Sequence, residues 1–254
     1  MKYFLRHTLR NAVRQLVGWR VRKWSGNRVK GGPFAGMRYG EAAICSELSP
    51  KLIGCYEREL TWVLQEIRLL QPEVIINAGA AEGYYAVGVI FAGIARQVIA
   101  FETLASARAL ISGLARMNHV SEERLVLKAT CTADALESCL QTASVPVVIM
   151  DVEGHEVFLL DPARVKSLSQ TYVLAEMHDC ILQGMTDAIT AKMAATHHIT
   201  RIVSEPRSQA DTACSDFLFS ILPQRWRLLA VSEERPGPMT WLWMKPKIVS
   251  PPAR

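Results

Sequence analysis

Two groups of residues in this 254-residue chain have types and spacings suited to chemistry. The first is the run Val74-Ile-Ile-Asn-Ala-Gly-Ala-Ala-Glu-Gly83. Gly79 allows a sharp turn and Gly83 lets a following helix pack closely, while Ala80 and Ala81 leave room for a ligand against bare backbone. Nineteen residues beyond Gly83, the apolar run Gln97–Phe101 ends in Glu102. A carboxylate there can accept both hydroxyls of a cis-diol, which suits an adenosine-containing ligand without a 2′-phosphate, although an acid at a strand end also serves as a helix cap. The spacing is Gly-x-x-x-Gly, with Ala81 where a dinucleotide fingerprint has its second glycine. That departure disfavours hydride transfer with a nicotinamide.

The second group is Asp151, Glu153, Glu176 and His178, at the ends of two later apolar runs. Carboxylates and an imidazole at one place can take a proton from a hydroxyl. An unperturbed imidazole titrates near pH ~6.5 against ~3.9 for an aspartate, so His178 is the better base at neutral pH; the alternative is a hydrogen-bonded structural histidine. The same four residues have the chemistry of a divalent-cation site, since carboxylates suit Mg²⁺ or Mn²⁺ and an imidazole tolerates Mn²⁺. Placement at a helix N-terminus explains clustered acids as readily, and the weight falls on the metal-free reading. His155 and Glu156 read as a helix start, and of Tyr84 and Tyr85 at least one reads as core packing.

These residues need strands and helices to position them. Short apolar runs alternate with helical periodicity: Val74–Ala78 then 84–95, Gln97–Phe101 then 104–117, Leu125–Ala129 then 132–141, Val145–Met150 then 155–168, and Tyr172–Met177 then 185–196. Five consecutive strand–helix units predict an α/β, Rossmann-like, doubly wound and mostly parallel sheet with helices on both faces. In such a sheet, ligands bind beyond the carboxyl ends of the strands at the topological switch point. Before the units, residues 56 to 70 read as a helix ending before Pro72. After them, Ile199–Ser204 and the tryptophan-rich Thr240–Met244 read as strands at the sheet edge, with a helical patch near 213–222 and Trp241 and Trp243 exposed.

Half of the residues are apolar and a fifth charged, an ordinary globular balance that excludes disorder for the whole chain. The net charge of +5 is uneven: residues 1–30 hold nine Lys/Arg and no acid, leaving 20 basic against 24 acidic residues in the body. An acidic body argues against a broad nucleic-acid-binding face. Six cysteines without ligand spacing argue against a zinc site or a disulfide scaffold. Residues 1–30 read as a basic amphipathic helical extension, 31–72 as a glycine-rich lead-in and helix, 73–247 as the main domain and 248–254 as a tail. The extension suits either a helix lying on the body or peripheral membrane contact through residues 1–24. With no apolar run long enough to span a bilayer and no secretory signal, the expected location is cytoplasmic.

The chain resembles the class I methyltransferases that use S-adenosylmethionine, and within them the FkbM-type methyltransferases. The resemblance rests on Gly79-Ala-Ala-Glu-Gly-Tyr-Tyr85, on Ile149-Met-Asp-Val-Glu-Gly-His-Glu156 with Leu159 and Leu160 after it, and on Leu174-Ala-Glu-Met-His-Asp179, across residues 55 to 180. It implies a seven-stranded sheet and S-adenosylmethionine contacts at Asn77, Gly79, Ala80, Ala81, Glu82, Gly83 and Glu102, with Cys131 flanking the adenine. Asn77 stands where the family usually has an acid; its amide still hydrogen-bonds the methionine end but lacks the charge attraction to the ammonium. Methyl transfer is an in-line displacement that, for a hydroxyl, needs a base, which places Asp151, Glu153 and His178 at the catalytic end. Asp151 would orient the acceptor or position the methionine ammonium. The resemblance points to O-methylation of a small molecule or glycan, with N-methylation and a catalytically silent, membrane- or partner-tethered binding protein as alternatives. The identity of the acceptor and the oligomeric state are left open by the sequence.

Overall fold

The computed structural model describes residues 2–40, 42–44, 46–212, 223–235 and 237–247, with backbone alone for 2–12, 209 and 212. The patch near 213–222 and the tail 248–254 lie outside the described residues. Seven strands, β1 (Val74–Ala78), β2 (Gln97–Phe101), β3 (Leu125–Lys128), β4 (Val147–Met150), β5 (Tyr172–Met177), β6 (His197–Val203) and β7 (Thr240–Pro246), form one sheet in the order β3-β2-β1-β4-β5-β7-β6. Strands β1 to β5 pair in parallel, and β7 is antiparallel to β5 and β6. This is the Rossmann-like architecture that the alternating units predict.

Burial follows strand position. Strand β4 is buried at every residue and β1 and β5 at every residue but the first, because both faces are covered; the edge strands β3 and β6 show open positions. Successive side chains feed two separate cores. Ile75, Leu174, Trp241 and Trp243 join one, while Ile76, Val173, Leu242 and Met244 join the other. The first core is covered by α1 (Lys2–Ser25), α2 (Leu48–Ile53), α3 (Thr61–Leu70), α4 (Tyr84–Phe91) and α5 (Ala105–Met117). The second is covered by α6 (Ala133–Gln141), α7 (Glu156–Leu159) and α8 (Met185–Met193).

Two expectations are corrected. The stretch 155–168 is not one helix: α7 stops at Leu159, and a short 3₁₀ turn covers Lys166–Gln170. Between them lies Asp161-Pro162, where the proline has no N–H to continue a helix and Asp161 instead accepts a hydrogen bond from Ala163 N–H at 3.0 Å. Strand β7 is not an edge strand but is inserted between β5 and β6, with Trp241 and Trp243 only 1% and 0% exposed.

The glycine-rich stretch after Ser25 is an irregular lead-in, as its composition predicts, and is packed against the body. Val29, Phe34, Met37 and Tyr39 are buried in the first core, and Phe34 lies against Gly88 of α4, where an added Cβ would sit 2.6 Å from its ring. The N-terminal helix α1 (Lys2–Ser25) buries Val17 and Val21 in the same core and leaves Leu16 and Trp19 exposed. Among the described residues no helix is long and apolar enough to cross a membrane.

Candidate active site

The carboxyl ends of β1, β2, β4 and β5 open into one cavity of about 530 Å³. It lies between β1 and β4, where the strand order reverses, the expected position for a ligand. Of the residues expected there, Asn77, Gly79, Ala80, Ala81, Glu82, Glu102, Cys131, Asp151, Glu153 and His178 all line it. Gly83 does not: it starts α4 in a left-handed conformation and packs against Ile111 of α5.

The wall beside β1 and β2 is built mainly of backbone. Gly79 has φ +77°, and a Cβ there would sit 1.6 Å from the Asp151 carbonyl oxygen, so only glycine lets the β1 turn lie against the end of β4. The N–H groups of Gly79 and Ala80 both donate to the Phe101 carbonyl at 3.0 Å, tying the turn to the end of β2. Glu102 accepts from Ala81 N–H at 2.9 Å and Leu104 N–H at 2.8 Å, so its carboxylate is fixed between the turn and the lead into α5. Each oxygen keeps a second lone pair. In the floor, Asn77 donates to the Ile149 carbonyl at 3.2 Å, while its Oδ1 is buried without a hydrogen-bond partner. Cys131 lines the far end beyond β3, its thiol pushed up to about 12 by burial. Thr132 instead caps α6 through a hydrogen bond from Ala135 N–H.

Glu82 is on the wall, but its carboxylate is taken. It accepts from Tyr39 Oη at 2.6 Å and Ile44 N–H at 3.0 Å and pairs with the buried Lys51. Burial raises its pKa, yet Lys51 and these hydrogen bonds outweigh that and hold it below the ordinary value. Its structural effect is to hold the lead-in against the glycine turn. Tyr84 sits in an aromatic cluster with Phe34, Tyr39 and Tyr56, and its hydroxyl is buried without a partner.

The opposite wall is made of charged side chains. Asp151 follows β4 and His178 follows β5, with His178 Nε2 at 3.4 Å from both Asp151 Oδ1 and Glu153 Oε2. The other ring nitrogen, Nδ1, lies 3.1 Å from Glu156 Oε1. Glu156 is fully buried and also accepts from Val152 N–H and Gly154 N–H, each at 2.9 Å. With both Glu156 oxygens already accepting from backbone N–H groups, His178 Nδ1 is the donor in its contact with Glu156. Burial opposes a charged imidazole, but Glu156 and the neighbouring carboxylates outweigh it and raise the His178 pKa to about 9. The sequence argument from an unperturbed imidazole is thereby corrected. Asp151 moves the opposite way from an ordinary carboxylate, up to about 7, chiefly through burial and against the pull of His178.

Sequence reasoning did bring Glu176 to this cleft but missed what holds it. Arg235, from the loop before β7, pairs with Glu176 and Glu57 and donates to Glu233 at 2.8 Å. Glu57 also accepts from the Tyr85 hydroxyl. Burial raises the pKa values of both Glu57 and Glu176 to about 7 despite Arg235. Trp241, opposite Glu176 in the sheet, turns a buried and unpartnered Nε1–H into the same region. No short motif marks Glu57, Arg235 or Trp241; each lies outside the strand–turn units and reaches the cavity only through tertiary packing.

No protein-family model matches the chain, and no curated protein matches it either. Solved structures with similar chain traces include an O-methyltransferase from Bacillus cereus in complex with SAH, at 13% identity and a TM-score of 0.44, covering 56% of this chain and 72% of that one. A candidate O-methyltransferase from Klebsiella pneumoniae is similar at 12% identity and a TM-score of 0.47, over 92% of this chain and 90% of the other. An rRNA methylase from Streptococcus thermophilus is similar at 10% identity and a TM-score of 0.46, over 75% and 97% respectively.

Proposed function

We propose that the chain is an S-adenosylmethionine-dependent methyltransferase of the FkbM type, acting on an oxygen of a small molecule or glycan. The observation that carries this reading is the Asn77 Oδ1, a buried acceptor with no partner, in the floor of a cavity that also contains the Gly79 turn, Glu102 and Asp151. A buried acceptor left unpaired is unfavourable unless a ligand donor meets it, and the ammonium of a methionine moiety is such a donor. Glu102 has the free lone pairs for ribose hydroxyls, and the Gly79 turn leaves bare backbone for the ligand between them. The cofactor supplies a methyl group made electrophilic by its sulfonium.

On the acceptor side, Asp151 is the group suited to take the hydroxyl proton. With its pKa near 7 it is a stronger base than an ordinary carboxylate and still ionised in part at neutral pH. His178, held positive by Glu156, stabilises the Asp151 charge instead of acting as the base itself. The acids Asp151, Glu153, Glu233 and Glu234 on the lining favour a neutral or cationic acceptor over a phosphate polyanion.

Calorimetric titration of the purified chain with S-adenosylmethionine, S-adenosylhomocysteine and NAD tests the reading. Micromolar binding of both adenosyl-sulfur ligands without NAD binding is the expected result. Absence of binding for both overturns it.

A further inference from the structure

We propose that the outward face of α1 is a docking surface for an anionic lipid bilayer. The helix carries apolar residues on two sides. Val17 and Val21 are buried in the first core and Val13 packs against it, so one side holds the helix to the body. On the opposite side, Leu16 and Trp19 are 43% and 52% exposed. The helical backbone runs unbroken from Lys2 to Ser25, and Leu5, Leu9, Ala12, Leu16 and Trp19 follow one another in steps of four and three, which puts these positions on one line along it.

Cations accompany the stripe. Residues 1–30 hold nine Lys/Arg and no acid. Arg14 is turned to the body, where it pairs with Glu47 and Glu234. Arg20, Lys23, Arg28 and Lys30 are exposed, and among the described residues none of them has an acidic partner. The Arg20 guanidinium lies 5.9 Å from the centre of the Trp19 ring, so a cation stands beside the exposed indole. A hollow of about 450 Å³ lined by Trp19, Arg22, Lys23, Gly26 and Asn27 adjoins it at the end of the helix. Basic side chains next to an indole suit a phosphate headgroup above the first carbons of an acyl chain.

Charge decides which occupant fits. A second copy of the chain would set the same unpaired cations against each other, with no acid in residues 1–30 to answer them. A nucleic acid would meet the cations but offers no apolar phase to Leu16 and Trp19, and the acidic body would repel it. An anionic bilayer supplies both the opposite charge and an apolar interior. Because Val17 and Val21 keep their places in the core, docking needs no unpacking of the helix. The inference does not rest on the methyl-transfer reading.

The test is co-sedimentation of the full chain with phosphatidylcholine vesicles, with and without about one third phosphatidylserine. Affinity for the serine-containing vesicles is expected to be at least about tenfold higher at low salt and to fall as salt is added. Arg20→Gln combined with Lys23→Gln should weaken it by about tenfold or more through lost charge. Leu16→Ser combined with Trp19→Ser should weaken it to a similar degree, at about tenfold, through lost insertion. All four side chains are exposed, so both double variants should keep the parent Tm and the readout stays one of binding. Equal affinity for the two vesicle types, or no binding to either at low salt, overturns the proposal. Binding lost with the cations but untouched by Leu16→Ser and Trp19→Ser also overturns it, since the face would then serve polyanions through charge alone. Concentration-dependent dimerisation in analytical ultracentrifugation that Leu16→Ser and Trp19→Ser abolish assigns the face to a second copy instead.

Discussion

The two walls of the cavity are made of different materials. The wall on the β1 and β2 side is held by backbone hydrogen bonds and by a glycine that touches the next strand, and its carboxylates Glu82 and Glu102 are each anchored by hydrogen bonds. The wall on the β4 and β5 side consists of Asp151, His178, Glu176 and Arg235, whose charges are balanced by one another. A backbone wall is rigid and tolerates no added atoms. A wall of coupled charges is adjustable, and its stability depends on pH and on every partner being present.

Gly79→Ala should give the largest effect. The added Cβ meets the backbone carbonyl of Asp151, which no rotamer change relieves, and φ is unfavourable for alanine. Destabilisation of about 4 kcal/mol or more is expected in chemical denaturation, at the upper end for a point substitution. A variant as stable as the parent would show that the turn can move off β4 and that the wall is not rigid.

Arg235→Met should come next, at about 3 kcal/mol, because it leaves Glu57, Glu176 and Glu233 without their shared cation. This wall should also carry the pH dependence. Folding raises Glu57 and Glu176 to about 7, so their contribution is complete below the ordinary carboxylate range and is lost as pH rises through about 7. His178, raised to about 9, adds a further loss as pH rises from its ordinary value through about 9. The Tm should therefore fall between pH 5 and 9, and more steeply in Arg235→Met. A flat profile across that range in the parent would sink the electrostatic account.

The smallest effect is expected for Glu102→Gln. The amide oxygen can still accept one of the two backbone hydrogen bonds, so the fold should hold, while loss of charge weakens S-adenosylmethionine by about 1 kcal/mol in calorimetry. Unchanged affinity would remove Glu102 from the cofactor wall.

Legibility in the sequence follows the same division. The turn at Gly79, Glu102 at the end of β2, and Asp151 and His178 at the ends of β4 and β5 lie at fixed offsets from apolar runs, so strand–helix alternation was enough to bring them together. Glu82 shows the limit: it sits in the motif, yet Tyr39 and Lys51 from the lead-in claim its carboxylate. The insertion of β7 between β5 and β6 was illegible for a related reason. An apolar run shows that a strand is buried but not which neighbours it pairs with.

The sequence by itself determined the alternating elements, the parallel α/β sheet and the edge at which its chemistry gathers, because periodicity and turn residues act over a few positions. Only the tertiary structure decided the electrostatics. Glu156 behind His178, and Arg235 between Glu57 and Glu176, are contacts between distant segments, and burial and charge at those contacts set the protonation that local sequence leaves open.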